Sequence, residues 1–586
     1  MSTVHVLKEA HVNTTRFRTV AVAIIGVSGA LATILATNGS GFFVPGNLLM
    51  SRSVYDNRSA NIHVGDTLPP DCVPSVSLGV VCGAATSDGT YPTVWNNDLA
   101  DASFGITSKI FLDQLLASDG SLINSLEVPN SSQHGVPPTK DQLVTSFPSK
   151  SELALNLSTD GRFVTFLGYV APVNAVDVSN SNTPNIVDPT NPVPSQFSRA
   201  VAQVDQKGKF QFTKTNAYSG NNGRAAILNN SNWANLIYTA GNAGNGGDPQ
   251  PDDVIIAAGA QVLSSEIRSM VAQDPGLPTP VASFNIKQLP GMKYQAGDKL
   301  GKDTNFRGLT IFDQVLYYTK GSGGNGINTV YFVDTTGLAC PTVTTSGIVT
   351  SGGVGIPQTG SPSFQGLPIG PIAYDPSFVS TKGVTPYNMC VLNGFPIDLK
   401  TKTFFPFGIW FADASTLYVA DEGDGDSMFS TVTGTYTKAT VDGTGKTAAG
   451  VHPGLQKWMF DGTKWNRTYT LQAGLRLGIP YAYAIPGYPT GNNEATGKPW
   501  TPATGGLRNI TGRLNGDGTV TIWAITSTVS GNGDQGADPN QLVMITDTVA
   551  ALTLPANQSF TIVRAAGFGE VLRGISFTPG TGASQR

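Results

Sequence analysis

The chain is patterned in short runs of alternating apolar and polar residues, separated by turn residues. The clearest example is the segment 305–336, in which β-branched and aromatic residues form three runs at 308–312, 315–320 and 329–334. Runs of this length and composition are typical of β-strands, and their short spacers predict an antiparallel meander. Only the piece 261–274 has the spacing of a short amphipathic helix.

The meander opens with an arginine, a small residue and then alternating apolar positions, and related phrases recur along the chain. The arginines of these phrases are Arg199, Arg224, Arg307, Arg508 and Arg573. A strand signal that recurs through a long all-β chain is typical of radially repeated sheets. The sequence therefore predicts an all-β fold, a β-propeller of about seven blades, with six to eight possible.

Ring closure is predicted from the C-terminal run. Residues 572–578 carry the opening phrase, but the chain that follows is too short to complete a sheet. Propellers often combine strands from both termini in one blade. We therefore expect the early strands around 109–128 to complete the last blade.

Composition supports many turns and few helices. The chain has 68 glycines and 38 prolines among 586 residues, and only 13% of its residues are charged. With 40% hydrophobic residues, it has enough apolar surface to offset the ordering entropy that keeps Gly-rich chains disordered. Long segments rich in Gly, Pro and Asn are therefore expected to be surface loops of a folded protein.

The N-terminus has the pattern of a targeting segment. Residues 19–36 are uncharged and mostly apolar and follow a stretch with three basic residues, which predicts a signal peptide or an N-terminal membrane anchor over 1–36. Residues 37–104 are expected to form an extension with short strands, and 105–586 a single propeller domain. The protein is then secreted, periplasmic or on the cell surface, and only the N-terminal segment contacts a membrane.

Net charge and cysteine spacing bear on the binding partners of the protein and on its cellular compartment. The net charge is −4 and the pI is about 5.8, which disfavours nucleic-acid binding through a basic face. The four cysteines fall into two local pairs, Cys72 with Cys82 and Cys340 with Cys390. In an exported chain these pairs suggest two disulfides, with buried free thiols as the alternative.

An acidic loop is the main candidate metal site. Asp421, Glu422, Asp424 and Asp426 lie on a Gly-containing loop directly after a predicted strand. Calcium takes six to eight oxygen ligands, which closely spaced carboxylates and carbonyls can supply. A solvated acidic turn is the alternative. Weaker candidates are Asp248, Asp252, Asp253, Asp534 and Asp538.

The repeated arginines allow two interpretations. They could line the central channel and receive an anionic ligand, because innermost strands face it. They could also tie neighbouring blades together through carboxylates and carbonyls, since a guanidinium has several fixed donors. Their position at the start of each blade favours this second, structural role.

Four tryptophans, Trp410, Trp458, Trp465 and Trp523, allow a similar choice. They could form a face that stacks on carbohydrate. Large aromatic residues in sheets more often fill the space between layers, so the interpretation as core residues is preferred.

Two strand phrases carry a family resemblance. Residues 417–421 (LYVAD) and 573–579 (RGISFTP) resemble strand phrases of exported bacterial propellers of the broad NHL-repeat or gluconolactonase-like type, and 455–465 resembles the same kind of protein. The resemblance implies an extracytoplasmic propeller without an assigned reaction. No catalytic residue carries over from it.

Three functional hypotheses follow. The first is an exported propeller that acts as a binding or interaction scaffold, with an unknown protein or carbohydrate as its ligand and its long loops as the contact surface. The second is a divalent-metal-dependent hydrolase, such as a lactonase or phosphoesterase, with its metal at the central channel. The third is a self-associating surface structural protein. The only cofactor that the sequence suggests is Ca²⁺, and no catalytic residue is identified.

Overall fold

A computed structural model describes most of the chain beyond residue 40. The described residues are 41–55, 72–75, 79–82, 105–137, 139–187, 195–231, 234–242, 259–265, 280–286, 304–321, 326–340, 354–362, 364, 366–367, 387–397, 403–425, 428–436, 452–494, 496–532 and 535–582. The predicted signal or anchor segment lies outside them. Within these ranges, no helix has the length and apolar character needed to cross a membrane.

The described residues form thirty strands and two short 3₁₀ helices. In chain order the strands are β1 (Leu48–Val54), β2 (Cys72–Ser75), β3 (Gly79–Cys82), β4 (Thr107–Leu115), β5 (Leu122–Glu127), β6 (Thr145–Ser146), β7 (Asn156–Leu157), β8 (Phe163–Tyr169), β9 (Arg199–Asp205), β10 (Phe210–Thr215), β11 (Gly223–Asn229), β12 (Leu236–Gly241), β13 (Ala260–Ser264), β14 (Ala282–Ile286), β15 (Gly308–Phe312), β16 (Val315–Lys320), β17 (Thr329–Asp334), β18 (Val354–Gly355), β19 (Tyr387–Leu392), β20 (Pro406–Asp413), β21 (Thr416–Asp421), β22 (Phe429–Ser430), β23 (Thr435–Tyr436), β24 (Gly454–Phe460), β25 (Trp465–Leu471), β26 (Ala503–Leu514), β27 (Thr519–Val529), β28 (Gln541–Thr548), β29 (Thr561–Ala565) and β30 (Glu570–Phe577). The 3₁₀ helices are Val178–Asn180 and Gln535–Ala537.

The strands form a propeller that has six blades within the described residues, each a four-stranded unit. From the inner to the outer strand, the blades are β30-β1-β4-β5, β7-β8-β9-β10, β11-β12-β13-β14, β15-β16-β17-β19, β20-β21-β24-β25 and β26-β27-β28-β29. The third and fourth blades are joined at their outer edge, where β14 and β19 pair in parallel. The predicted all-β propeller is confirmed, with six blades instead of the seven favoured within the range of six to eight.

The two ends of the chain close the ring in one sheet, as predicted. The C-terminal strand β30 pairs with β1, and β1 pairs with β4, which carries the early segment expected to complete this blade. The pairing adds β1, which lies in the segment assigned from sequence to an N-terminal extension. Arg52 of β1 fastens the sheet, because it contacts Asp113 of β4 at 2.9 Å and Glu570 of β30 at 2.5 Å.

Two local expectations need correction. The Arg199 phrase opens β9, the third strand of its blade, whereas the inner strand of that blade is the short β7. A phrase that resembles an opening therefore inflates the blade count. The amphipathic piece 261–274 begins as strand β13, which pairs with β12 and β14, because tertiary pairing overrides a weak helical pattern. Its residues from 266 onward lie outside the described ranges.

Hydrophobic layers fill the space between neighbouring blades. Leu49 and Ile110 of the closing blade pack with Phe166 of the second blade, and Trp523 of the sixth blade packs with Leu48 and Phe577 of the closing blade. Three of the four tryptophans are at most 5% exposed, and Trp410 packs partly buried against Tyr418. The core interpretation of these tryptophans agrees with this burial.

One predicted disulfide is confirmed. Cys340, which follows β17, bonds Cys390 of β19, and both residues are fully buried. For the other pair, the backbone places Cys72 of β2 opposite Cys82 of β3. Their side chains lie outside the described part of the structure, so that disulfide stays a prediction.

The inner strands pack closely enough to exclude side chains at specific positions. A Cβ atom added to Gly574 would lie 2.2 Å from Leu153 O, one at Gly308 would lie 2.5 Å from Phe407 O, and one at Gly408 would lie 2.6 Å from Arg508 O. A heavy-atom contact below about 3 Å forces the backbone to move, so these sites need glycine. The small residue of the opening phrase is therefore a packing requirement between adjacent blades.

Candidate functional site

Four of the repeated arginines occupy related positions around the centre of the ring. Arg224, Arg307, Arg508 and Arg573 lie on or directly before the inner strands of four blades. At this position the backbone carbonyl of the arginine accepts a hydrogen bond from a neighbouring blade. Ala154 N donates to Arg224 O at 3.3 Å, and the Asn509 side chain donates to Arg573 O at 2.8 Å. We call the end of the ring marked by these residues the arginine end.

The other two blades carry apolar residues at the same level. Leu153 and Phe407 are fully buried, and they receive the close approaches of Gly574 and Gly308. The connections that enter the inner strands at this end include the long segments 128–155 and 472–502. The arginine end therefore combines a partly basic centre with long loops around it.

Arg573 acts as a structural tie. Its guanidinium donates to the carbonyls of Phe147 and Ser149 and to Ser53 Oγ at 3.2 Å. These acceptors lie on the closing blade and on the connection to the second blade. Arg573 is 3% exposed, so its donors are directed into the protein.

Arg199 is also structural, and it lies on β9, away from the inner strands. Its guanidinium donates to Ser179 O, Ser181 O and Asn221 O, at 2.9 Å for Ser181. It also lies 5.1 Å from the ring of Tyr169. Burial lowers the pKa of Arg199 to about 10, and these carbonyls hold its charge in a closed environment.

Arg224, Arg307 and Arg508 differ from these two because their donors are only partly used. Arg224 donates to Asn305 Oδ1 and to Phe306 O at 2.8 Å, yet its Nε is buried without an acceptor among the described residues. The Nε of Arg307 is likewise buried with no acceptor in the described part of the chain. Arg508 donates from Nε to Glu422 Oε2 at 3.2 Å.

These three arginines influence one another electrostatically. Burial lowers the pKa of Arg224 well below its ordinary value, and the positive charge of Arg307 lowers it further. Burial also lowers the pKa of Arg307, with the charge of Arg508 acting in the same direction. Glu422 opposes the effect at both Arg224 and Arg307. With Glu152, which also acts on Arg224, the group holds three guanidinium charges against two carboxylates, so it keeps a positive excess in a chain of net charge −4.

The members of this group differ in exposure. Arg224 and Arg508 are 4% and 6% exposed, whereas Arg307 and Glu422 are half-buried. Buried charges in proteins are normally paired, because desolvation of an uncompensated ion costs several kcal/mol. The arrangement can therefore receive an anion whose oxygens accept from the unused Nε donors. We call Arg224, Arg307, Arg508 and Glu422 the arginine site.

One buried acid near the arginine site was not found from the sequence. Glu152 is 1% exposed; it accepts from Thr145 Oγ1 at 2.6 Å and from the Ser146 amide at 3.0 Å, and the Tyr169 hydroxyl donates to it. Its negative charge also acts on Arg224. Glu152 lies in a segment without strand alternation, so no local pattern singles it out.

The acidic residues of the loop predicted to bind metal lie in different environments. Asp421 is fully buried at the end of β21 and accepts from the amides of Gly423 and Phe405, at 2.9 and 3.2 Å. Gln456 also donates to it, and burial raises its pKa to about 7. Glu422 points instead to Arg508, Asp424 lies half-buried on the loop, and Asp426 is outside the described residues.

The weaker metal candidates are not assembled with this loop. Asp538 is buried beside Tyr488 and Asn532, while Asp248, Asp252, Asp253 and Asp534 lie outside the described ranges. Within those ranges, no group of three His, Cys, Asp or Glu residues is placed to hold a metal ion. The calcium site stays a prediction.

The chain was compared with known proteins. No protein-family model matches it, and no curated protein matches it. Among solved structures, it is similar to a polysaccharide lyase, an ulvan lyase of family PL25 bound to -[GlcA(1-4)Rha3S]-. That similarity covers 87% of this chain and 94% of the lyase, with 10% identity and a TM-score of 0.28. At these values it carries no argument about ligand or activity, and the propeller assignment rests on the strand pairing.

Proposed function

We propose that the protein is a ligand-binding scaffold that holds an anionic, oxygen-rich group at the arginine site. The observation that carries the proposal is the pair of buried Nε atoms on Arg224 and Arg307, which have no acceptor among the described residues. A guanidinium binds carboxylate or sulfate through parallel N–H donors, so an anion would satisfy both the unused donors and the excess charge.

The partly exposed Arg307 would make the first contact with the ligand. The more deeply buried Arg224 and Arg508 would then hold the charge at the centre of the ring. Glu422 would select against ligands that carry too much negative charge, because its carboxylate already pairs with Arg508. The hydrolase and the self-associating surface protein remain predictions from the sequence.

The test is thermal unfolding of the full chain with sodium sulfate or sodium glucuronate, compared with sodium chloride at equal ionic strength. A ligand that binds only the folded state raises the melting temperature, so glucuronate should raise it above the chloride value, as should sulfate at a concentration too low for its general stabilisation of proteins. Arg307→Gln should abolish that difference. This variant should fold, because no side-chain hydrogen bond of Arg307 to a described residue is lost.

Arg162→Gln is the matched control. The Arg162 side chain is 54% exposed and pairs with Asp160 at a surface turn, away from the arginine site. Its variant should keep the full anion-dependent shift. An equal response to chloride and to both anions, or a shift that persists in Arg307→Gln, would overturn the proposal.

A further inference from the structure

A small pocket lies on the connection between β25 and β26, separate from the arginine site. Its volume is about 260 Å³. The residues that line it are Tyr481, Ala482, Tyr483, Ala484, Ile485, Tyr488, Pro489, Thr490, Thr501 and Pro502. We call it the tyrosine pocket. Its volume lies near the lower end of the range for ligand sites, so it fits one small ring and not an extended chain.

Two of the aromatic residues of this pocket stack on each other. Tyr481 and Tyr483 are two residues apart, and the chain bends at residues 482 and 483 between them. Their rings stack with centroids 5.2 Å apart and an angle of 11° between planes. Ala482 and Ala484, between and after them, are exposed. The stacked pair of rings therefore gives the pocket an aromatic wall.

Hydrogen bonds hold the two sides of the pocket in place. Tyr481 N donates to Pro502 O at 2.9 Å, and Gln541 donates to the Tyr483 hydroxyl at 2.9 Å. The Tyr488 hydroxyl donates to Asp538 Oδ1 at 2.8 Å. The aromatic surfaces are therefore positioned before a ligand arrives, which lowers the entropic cost of binding.

Polar groups accompany the aromatic surface. The hydroxyls of Thr490 and Thr501 are on the lining residues, and the buried Asp538 lies one hydrogen bond behind the Tyr488 wall. A ligand for this pocket therefore needs apolar faces together with hydroxyl groups at its edge.

We propose that the tyrosine pocket binds one pyranose ring of a neutral carbohydrate. A pyranose presents C–H bonds on its faces, which pack on aromatic rings, and hydroxyls around its rim, which pair with threonine and tyrosine hydroxyls and backbone carbonyls. A purely aromatic or aliphatic ligand would cover the Thr490 and Thr501 hydroxyls without pairing them, which costs binding free energy. The inference goes beyond the proposed function, because it needs no anionic group and no arginine.

The experiment is saturation-transfer NMR on the full chain with four neutral single-ring sugars, the methyl pyranosides of glucose, galactose, mannose and xylose. At about 10 mM sugar, a site of millimolar affinity is largely occupied. We expect transfer to the ring protons of at least one sugar. Tyr483→Ala removes half of the stacked pair and should weaken that binding by at least tenfold, whereas Tyr483→Phe should retain most of it.

Two further variants separate this site from the rest of the protein. Phe210→Ala removes a half-buried aromatic residue from β10, and its sugar binding should equal that of the parent chain. Arg307→Gln should also bind the sugar normally, so failure of the anion proposal would not affect this result. Absence of transfer from all four sugars, or equal binding by Tyr483→Ala and the parent chain, would overturn the inference.

Discussion

At the scale of single residues, the role of each repeated arginine depends on the acceptors around it. Arg573 and Arg199 point to backbone carbonyls, which fix their charges inside the protein. Arg224 and Arg307 keep buried donors without acceptors among the described residues. The sequence presents all of them as the same phrase, because the acceptors come from segments remote in the chain. The contacts of Arg573 and Arg199 fit the structural alternative, while the anion-binding alternative stays a proposal for Arg224 and Arg307.

Asp538 provides a prediction on pH dependence. Burial raises its pKa to about 7, against the opposing effect of hydrogen bonds from Ser530, Tyr488 and Asn532, whereas a carboxyl in the unfolded chain titrates near 4. The folded state therefore keeps a proton that the unfolded state loses between these values. Its contribution to the free energy of unfolding is full below about pH 4 and falls as the pH rises to 7.

Asp538→Asn should therefore flatten the pH dependence of stability, because asparagine is neutral and keeps an oxygen for the Tyr488 hydroxyl. Urea unfolding at pH 5 and pH 8 should show a smaller difference in the variant, by on the order of 3 kcal/mol. Asp461→Asn is the control. The pKa of Asp461 is lowered by hydrogen bonds from the Thr463 side chain and neighbouring groups, so its titration lies below this pH range. An unchanged difference in Asp538→Asn would contradict the prediction.

At the scale of elements, strand propensity and turn chemistry predict hairpins well. The turns at Asp160-Gly161, Lys207-Gly208 and Asp461-Gly462 each join antiparallel strands. The sequence signal for such a turn lies in the turn itself, because glycine readily adopts the positive φ that the turn requires. The inner strand β7 is two residues long and has no local signal, since its position depends on the blades on either side. The sequence therefore indicates Arg199 of β9 as the start of this blade, although the inner strand is β7.

The packing of inner strands gives a second prediction. Gly574→Ala places a Cβ atom 2.2 Å from Leu153 O and 2.6 Å from Leu155 N, and both are backbone atoms that cannot rotate away. We expect the variant to lose about 1–3 kcal/mol of unfolding free energy, as for overpacked cores. Gly516→Ala is the matched control, because nothing lies within 4 Å of its added Cβ. Urea unfolding of both variants measures the difference, and equal stability would show that the inner strands can separate without cost.

At the scale of the whole molecule, the sequence predicts the ring and its closure but not the arginine site. The number of strands and the incomplete C-terminal sheet can both be recognised in the sequence, so they predict a closed propeller. The arginine site needs Arg224, Arg307 and Arg508 from three different blades, together with Glu422 from a loop. Their convergence depends on the angular position of each blade, which no local pattern specifies. The tyrosine pocket was missed for a related reason, because its segment reads as an ordinary loop.

Closure of the ring gives the last prediction. Strand β1 pairs with β30 on one side and β4 on the other, so a chain that begins at residue 56 would leave both with an unpaired edge. It would also remove Arg52 from the buried Asp113, leaving Arg564 at 3.5 Å as the remaining described ion-pair partner of that carboxylate. We expect this truncated chain to aggregate or to lose cooperative unfolding in urea, whereas a chain that begins at residue 41 should unfold in one transition. A synthetic peptide of residues 41–56 should restore the transition by supplying β1. If the truncated chain is as stable as the control without the peptide, then β1 does not close the ring energetically and the outer pairing of β4 with β5 suffices.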